Sequence, residues 1–91
     1  AQAPKAFHLT QNYPNPFNGP TTLEYNLSAP SRVRLAVFTI AGHCVATLVN
    51  GLQRQGSYRV VWDAAQQASG VYFYRLQAND FVQTRKMVLA H

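Results

Sequence analysis

A chain of 91 residues with 47% hydrophobic and 12% aromatic residues has the size of one small domain and is not disordered by composition. Its single cysteine excludes an internal disulfide framework and a multi-cysteine metal site. The formal net charge of +5 comes from eight Lys and Arg residues that are dispersed along the sequence, which is typical of a solvated basic face rather than of a nucleic-acid-binding arm.

The first third of the chain is irregular because it holds all five prolines. We interpret residues 1–6 as a linker remnant from a longer protein and residues 7–91 as the domain. Residues 11–20 combine proline with asparagine and glycine, a composition that excludes a helix and favours turns. Tyr13 and Phe17 are the apolar side chains of this loop, and we expect them to pin it onto the body of the domain.

From residue 21 onward the sequence alternates apolar and polar residues, the pattern of half-buried strands. The predicted strands cover residues 7–9, 21–27, 32–37, 43–49, 58–62, 71–78 and 81–89. Asn50-Gly51 and Gly56-Ser57 are turn signals that bracket a predicted polar loop. A second loop is predicted over residues 63–70, with at most one helical turn.

Short, evenly spaced strands separated by turn signals predict an all-β fold, an antiparallel immunoglobulin-like β-sandwich of about seven strands. An open barrel is the alternative. In the strand 71–78, alternation assigns Tyr72, Tyr74 and Leu76 to the core. The same alternation places Val71, Phe73 and Arg75 on a partly covered outer face.

The reactive residues do not form a recognisable catalytic or metal-binding pattern. His43 and Cys44 are adjacent, so on a strand their side chains point to opposite faces and cannot pair. We interpret Cys44 as a small packed hydrophobe or a partly covered thiol. The acidic residues lie on different predicted elements, and the histidines lack metal-ligand spacing: Glu24, Asp63, Asp80, His8, His43 and His91. We therefore expect no catalysis, no cofactor and no metal.

Three aromatic residues, Tyr58, Trp62 and Phe73, allow two interpretations. They could stack on sugar rings, as in a carbohydrate-binding module. On alternating strands, however, aromatic side chains usually fill the sandwich core, and we favour core packing.

The chain resembles the type A C-terminal sorting domain of the type IX secretion system, which is related to flagellar hook-cap immunoglobulin-like domains. The resemblance extends from about residue 7 to residue 89. It is carried by ordered blocks at residues 9–18, 21–27, 33–38, 42 with 45, 47–50, 60–63, 69–76 and 86–89. The first block reads Leu-Thr-Gln-Asn-Tyr-Pro-Asn-Pro-Phe-Asn, and it is the order and spacing of all the blocks that carries the resemblance.

The resemblance implies a non-catalytic module at the end of a larger secreted bacterial protein, recognised by the outer-membrane secretion and attachment machinery. Such proteins are exported through the periplasm to the cell surface or beyond. In many members the module is then cleaved and replaced by attachment to anionic lipopolysaccharide, a further candidate partner here. A nucleic-acid partner is not expected. The positions that match the family motifs are the candidate recognition residues Pro14, Asn15, Pro16, Asn18, Gly42, Gly70, Tyr72, Lys86 and Leu89.

Elementary geometry suggests a role for four of these residues. Gly70 suits a tight strand entry that a side chain would obstruct, and Tyr72 can bury its ring while its hydroxyl finds a partner. Lys86 and Leu89 are three residues apart on a strand, so Leu89 can anchor while Lys86 stays exposed to a receptor. Simple packing of an edge strand explains the last pair equally well.

Three short segments depart from the family pattern. Residues 39–43 read Thr-Ile-Ala-Gly-His where Asp-x-x-Gly-Arg is usual, Ala64 follows Asp63 in place of glycine, and Gly19-Pro20 replaces Pro-Thr. Two alternative functions remain from the sequence. They are a carbohydrate-binding module of a polysaccharide hydrolase and a structural immunoglobulin-like spacer.

Overall fold

The computed structural model describes residues 6–91, and strands dominate this range. The seven strands are β1 (His8–Leu9), β2 (Pro20–Leu27), β3 (Ser31–Thr39), β4 (Cys44–Gln53), β5 (Gly56–Asp63), β6 (Gly70–Ala78) and β7 (Phe81–Leu89). The predicted number and order of strands are confirmed. Of the predicted linker, only Ala6 is among the described residues, so the linker and the boundary at residue 7 stay predictions.

The strands form two antiparallel sheets, one of three strands in the order β1-β2-β5 and one of four in the order β4-β3-β6-β7. The chain passes from the four-stranded sheet to the three-stranded sheet between β4 and β5. Two separate sheets with a shared core make a β-sandwich, so the predicted fold class is confirmed and the open barrel is not formed.

The predicted loop start at Asn50-Gly51 is wrong. Both residues lie within β4, where Asn50 pairs with Arg34 and Gly51 pairs with Val33. Gly51 does not adopt the positive φ that a tight Asn-Gly turn requires. Long-range pairing with β3 therefore overrides the local turn signal, and the connection shortens to residues 54–55.

The core lies between the sheets and is built by the inward positions of each alternating strand. Tyr72, Tyr74 and Leu76 are buried, while Phe73 and Arg75 lie half-buried on the outer face, as predicted. The other fully buried large side chains come from both sheets: Leu9, Leu23, Tyr25, Leu27, Val33, Leu35, Val37, Met87 and Leu89.

The burial of Tyr25 makes the domain less stable as the pH becomes strongly alkaline. Desolvation by burial raises the pKa of Tyr25 to about 12. Since the unfolded pKa is about 10, the resulting stabilisation is complete below that pH and is lost as the pH rises towards 12. We expect the free energy of unfolding to fall more steeply over this range than in Tyr25→Phe, measured by urea denaturation. Equal slopes would contradict this account.

Candidate functional site

The Pro-rich loop of residues 11–18 runs along the outer edge of β7. Phe17 donates its backbone N–H to the Val88 carbonyl at 2.9 Å, and Ala90 donates its N–H to the Phe17 carbonyl at 2.9 Å. These bonds make Phe17 the parallel bridge partner of Leu89. The loop therefore pairs with the C-terminal half of a strand that would otherwise be a free sheet edge.

Two side chains of this loop also form hydrogen bonds with the backbone of β7. Asn15, which lies between Pro14 and Pro16, accepts a hydrogen bond from the Val88 N–H through Oδ1 at 2.9 Å. Gln11 donates its side-chain amide to the Lys86 carbonyl at 2.8 Å. We call the family block of residues 9–18 the early motif and that of residues 86–89 the late motif. The two motifs, more than 70 residues apart in sequence, are thus bonded directly to each other.

Phe17 anchors the loop in the core, as predicted. Its side chain is 2% exposed, and its ring centroid lies 6.0 Å from that of Trp62. Trp62 in turn meets Tyr72 edge-on at 5.8 Å, a geometry that the charge distribution of aromatic rings favours. Tyr13 also pins the loop onto the body, but from the surface: it is 47% exposed, and its backbone pairs with that of Thr22 in β2. Tyr13 is held at the surface, where its hydroxyl bonds the carboxylate of Glu24.

Asn12 is the residue of this site that the sequence reasoning missed. It is buried, and its side-chain amide donates to Thr21 Oγ1 at 3.0 Å and to the Pro14 carbonyl at 3.1 Å. Its backbone N–H donates to the hydroxyl of Tyr74 at 2.8 Å. A buried amide needs such partners. Asn12 stands inside the first family block, residues 9–18, and that was the available signal.

A second part of the site lies where β7 ends and β6 begins. Gly70 pairs with Leu89, and Tyr72 donates its hydroxyl to the Ala68 carbonyl at 2.7 Å. The predicted combination of a buried ring and a bonded hydroxyl is confirmed for Tyr72. Asn18 Oδ1 lies 3.3 Å from Nδ1 of the His91 ring, so Asn18 contacts the residues that follow β7.

The steric explanation offered for Gly70 is wrong. A Cβ atom at this position would meet no atom within 4 Å, so a side chain has room. What favours glycine is the backbone, whose φ of 152° is rarely adopted by other residues. Gly42, with φ 89°, meets the same requirement in the turn between β3 and β4.

Not all nine predicted recognition residues meet at one point. Pro14, Asn15 and Pro16 lie along the β7 edge, with Asn18 at its far end. Gly70, Tyr72 and Leu89 lie at that same end of the four-stranded sheet. Gly42 occupies the neighbouring turn, whereas Lys86 is exposed on the outer face beside Phe73. Leu89 is buried and Lys86 exposed, so the predicted opposition of their side chains is confirmed.

The interpretation of Cys44 as a packed hydrophobe or a partly covered thiol is wrong. Cys44 is exposed at the start of β4, where it pairs with Phe38, and is not packed in the core. Nearby, Nη2 of Arg34 lies 3.9 Å from its sulfur.

No group of three or more His, Cys, Asp or Glu side chains within residues 6–91 could hold a metal ion. Over the same residues, no helix has the length and apolar character needed to span a membrane.

Fold and site together define a β-sandwich closed on one edge by its own N-terminal loop. Residues 11–90 match the model of the secretion system C-terminal sorting domain, and the chain belongs to that family. It is a sorting domain of type IX secretion, part of a larger protein that is recognised by this machinery and exported to the cell surface or secreted. The family is one of signals rather than catalysts. Neither the search of curated proteins nor that of solved structures finds a match.

Proposed function

We propose that the recognised form of this sorting domain is the folded sandwich, and that the machinery contacts the β7 edge together with the adjoining end of the sheet. The observation that carries the proposal is the bond between Asn15 and Val88, which joins the early and late motifs into one surface. An unfolded chain would present these motifs far apart. The proposed module directs export and takes no part in catalysis.

The nine candidate residues divide into two groups by exposure, and we assign each group a different task. The exposed group is available to a receptor: Pro14, Asn15, Pro16, Asn18, Gly42, Gly70 and Lys86. Tyr72 and Leu89 are buried and hold the sandwich together. Variants of exposed side chains such as Lys86 should therefore impair export without unfolding the domain. Variants of the second group should impair both, and so should variants of Gly42 and Gly70, whose backbone angles favour glycine.

The direct test is a fusion of residues 1–91 to a folded reporter protein in a host with type IX secretion. We expect the reporter to reach the cell surface or the medium. Retention of the wild-type fusion in the periplasm would contradict the proposed function.

Lys86→Glu tests recognition separately from folding. Its side chain is exposed, so the thermal midpoint should stay within a few degrees of the wild type. If the Lys86 ammonium meets the machinery, reversing the charge should slow export about fivefold or more. Ser57→Glu, an exposed position on the outer face of the three-stranded sheet, is the control, because it also adds a negative charge and leaves the Glu24–Arg59 ion pair intact. Equal export of the two variants would remove Lys86 from the recognition surface.

Attachment to the cell surface after export is the second part of the proposal. The net charge of +5 favours adsorption to anionic lipopolysaccharide. Such adsorption depends on long-range attraction, so it should weaken between low and physiological salt. Binding of the purified domain to immobilised lipopolysaccharide that does not change with salt would contradict this part.

The burial of Trp62 speaks against the carbohydrate-binding alternative. Its side chain is 7% exposed, and Tyr58 is half-buried and stacked on Tyr25 at 5.3 Å. A sugar platform needs exposed, coplanar rings, and this pair of aromatic residues does not present one. Sorting is therefore the function that the geometry supports best.

A further inference from the structure

The fold gathers on one surface several basic residues that are dispersed in the sequence. Four of them lie on the outer face of the four-stranded sheet: Arg32, Arg34, Arg75 and Lys86. Arg32 stands at the start of β3. In the strand register, Arg34 is opposite Gln77, Arg75 is opposite Ala36, and Lys86 is opposite Phe73. Sequence spacing alone does not reveal this surface, because the four residues come from three strands.

This basic face has no acidic side chain to neutralise it. Glu24 and Asp63 belong to the three-stranded sheet, and Asp80 lies in the turn between β6 and β7. Within the part of the chain that the structure describes, the one ion pair joins Glu24 to Arg59 at 3.4 Å, on the opposite side of the sandwich. The two outer faces therefore differ in charge, and the four-stranded one attracts anions.

A groove of about 230 Å³ crosses this face between the β3–β4 turn and the strands β6 and β7. We call it the basic–aromatic groove and define it by Phe38, Ile40, Phe73 and Arg75, which line it. Ile40 is 76% exposed, so the groove offers an apolar wall beside a guanidinium group. Gly42 also lines the groove, in the turn that carries Ile40.

Arg75 is held and partly desolvated in this groove. Its Cζ lies 4.6 Å from the ring centroid of Phe38, and Arg34 Cζ lies 5.9 Å from the same centroid. The Nε of Arg75 is buried and has no hydrogen-bond partner among the described residues. A partly desolvated, stacked guanidinium loses less hydration and less side-chain entropy on meeting an anion than a free surface arginine does.

We propose that the basic–aromatic groove binds an acidic segment of a protein of the export machinery. A carboxylate of that segment pairs with the guanidinium of Arg75, and a neighbouring apolar side chain packs against Ile40 and Phe73. The proposal deepens the proposed function by naming a contact surface and the chemistry of its partner, and it rests on that function.

The apolar wall favours a protein segment over a glycan or a phosphate group. Burying Ile40 against an apolar side chain gains about 25 cal/mol for each Å² removed from water. A hydrated glycan would leave Ile40 exposed, and the Phe38 ring is already covered by the Arg75 guanidinium. The planar guanidinium also matches a carboxylate in a bidentate geometry.

Site-specific photo-crosslinking in exporting cells tests the identity of the partner. A photoreactive amino acid replaces Thr84, which lines the groove, in the wild-type fusion. We expect it to crosslink to an acidic segment of one export protein, identified by mass spectrometry, and the crosslink to disappear in Arg75→Gln. The same probe at Val61, exposed on the opposite sheet, is the control. Crosslinks to lipopolysaccharide alone, or equal crosslinks from both positions, would overturn the proposal.

Export rates of groove variants provide the second test. Arg75→Gln should slow export of the reporter at least about tenfold, as loss of a charged hydrogen bond predicts, while Arg59→Gln should not. Arg75→Lys, which keeps the charge but not the planar donor group, should fall between them. Thermal unfolding of each purified domain separates recognition from stability. Unimpaired export of Arg75→Gln would overturn the groove proposal alone, whereas failure of the wild-type fusion would overturn the proposed function.

Discussion

Removal of the residues after Thr84 is expected to abolish both folding and export. It deletes half of β7, including the fully buried side chains of Met87 and Leu89. It also removes Val88, which holds the Pro-rich loop through Asn15 and Phe17. Losing two large core side chains costs about 4–10 kcal/mol, which is comparable to the total of about 5–14 kcal/mol expected for a domain of this size.

The truncation is checked by circular dichroism of the purified domain and by the location of the fused reporter. Deleting His91 alone is the matched control, because it removes exposed contacts to Asn18, Gln67 and Ser69 and leaves β7 intact. We expect this control to fold and to be exported. A domain ending at Thr84 that still unfolds cooperatively would show that β7 does not complete the sandwich.

Phe17→Ala is expected to cost about 3–5 kcal/mol of unfolding free energy, as for other buried aromatic residues. The loss has two sources, since the cavity lies against Trp62 and the loop also loses its anchor along β7. Urea denaturation followed by Trp62 fluorescence measures it directly. We also expect the exported fraction of the reporter to fall, because the early motif would leave the β7 edge.

Tyr13→Ala is the control for this prediction, because Tyr13 belongs to the same loop and is largely exposed. Its cost should be about 1 kcal/mol. If both variants lost the same stability, the loop would be held by its backbone bonds and not by the Phe17 side chain. If Phe17→Ala unfolded readily yet was exported normally, the folded sandwich would not be the form that the machinery recognises.

Alternation was sufficient to predict the strands and their inward faces. In β6, the residues Tyr72, Tyr74 and Leu76 had to point to one side because successive side chains on a strand alternate. A different local rule, the turn signal, failed at Asn50-Gly51, where it is overridden by pairing with β3. The expectation that Cys44 is packed or partly covered, which came from the residue type, also failed, because the thiol is exposed.

The candidate site was predictable only in its components. The family blocks contain Asn15, Phe17 and Leu89, but nothing in their spacing shows that Asn15 bonds the backbone of β7. Likewise, the requirement for glycine at position 70 comes from a backbone angle and not from crowding. Such features depend on how segments distant in sequence meet.

Length, composition and charge by themselves indicated that these 91 residues have the size of one small, basic domain without an internal disulfide, and alternation added the all-β class. They also allowed a solvated basic face, since no run of charge is present. Only the tertiary structure decided where that face lies. Strand pairing places Arg32, Arg34, Arg75 and Lys86 on one sheet, while Arg59 is paired with Glu24 on the other. The reason is physical: charge counts add along a sequence, but electrostatic potential depends on distances in space, and those are set by register and packing.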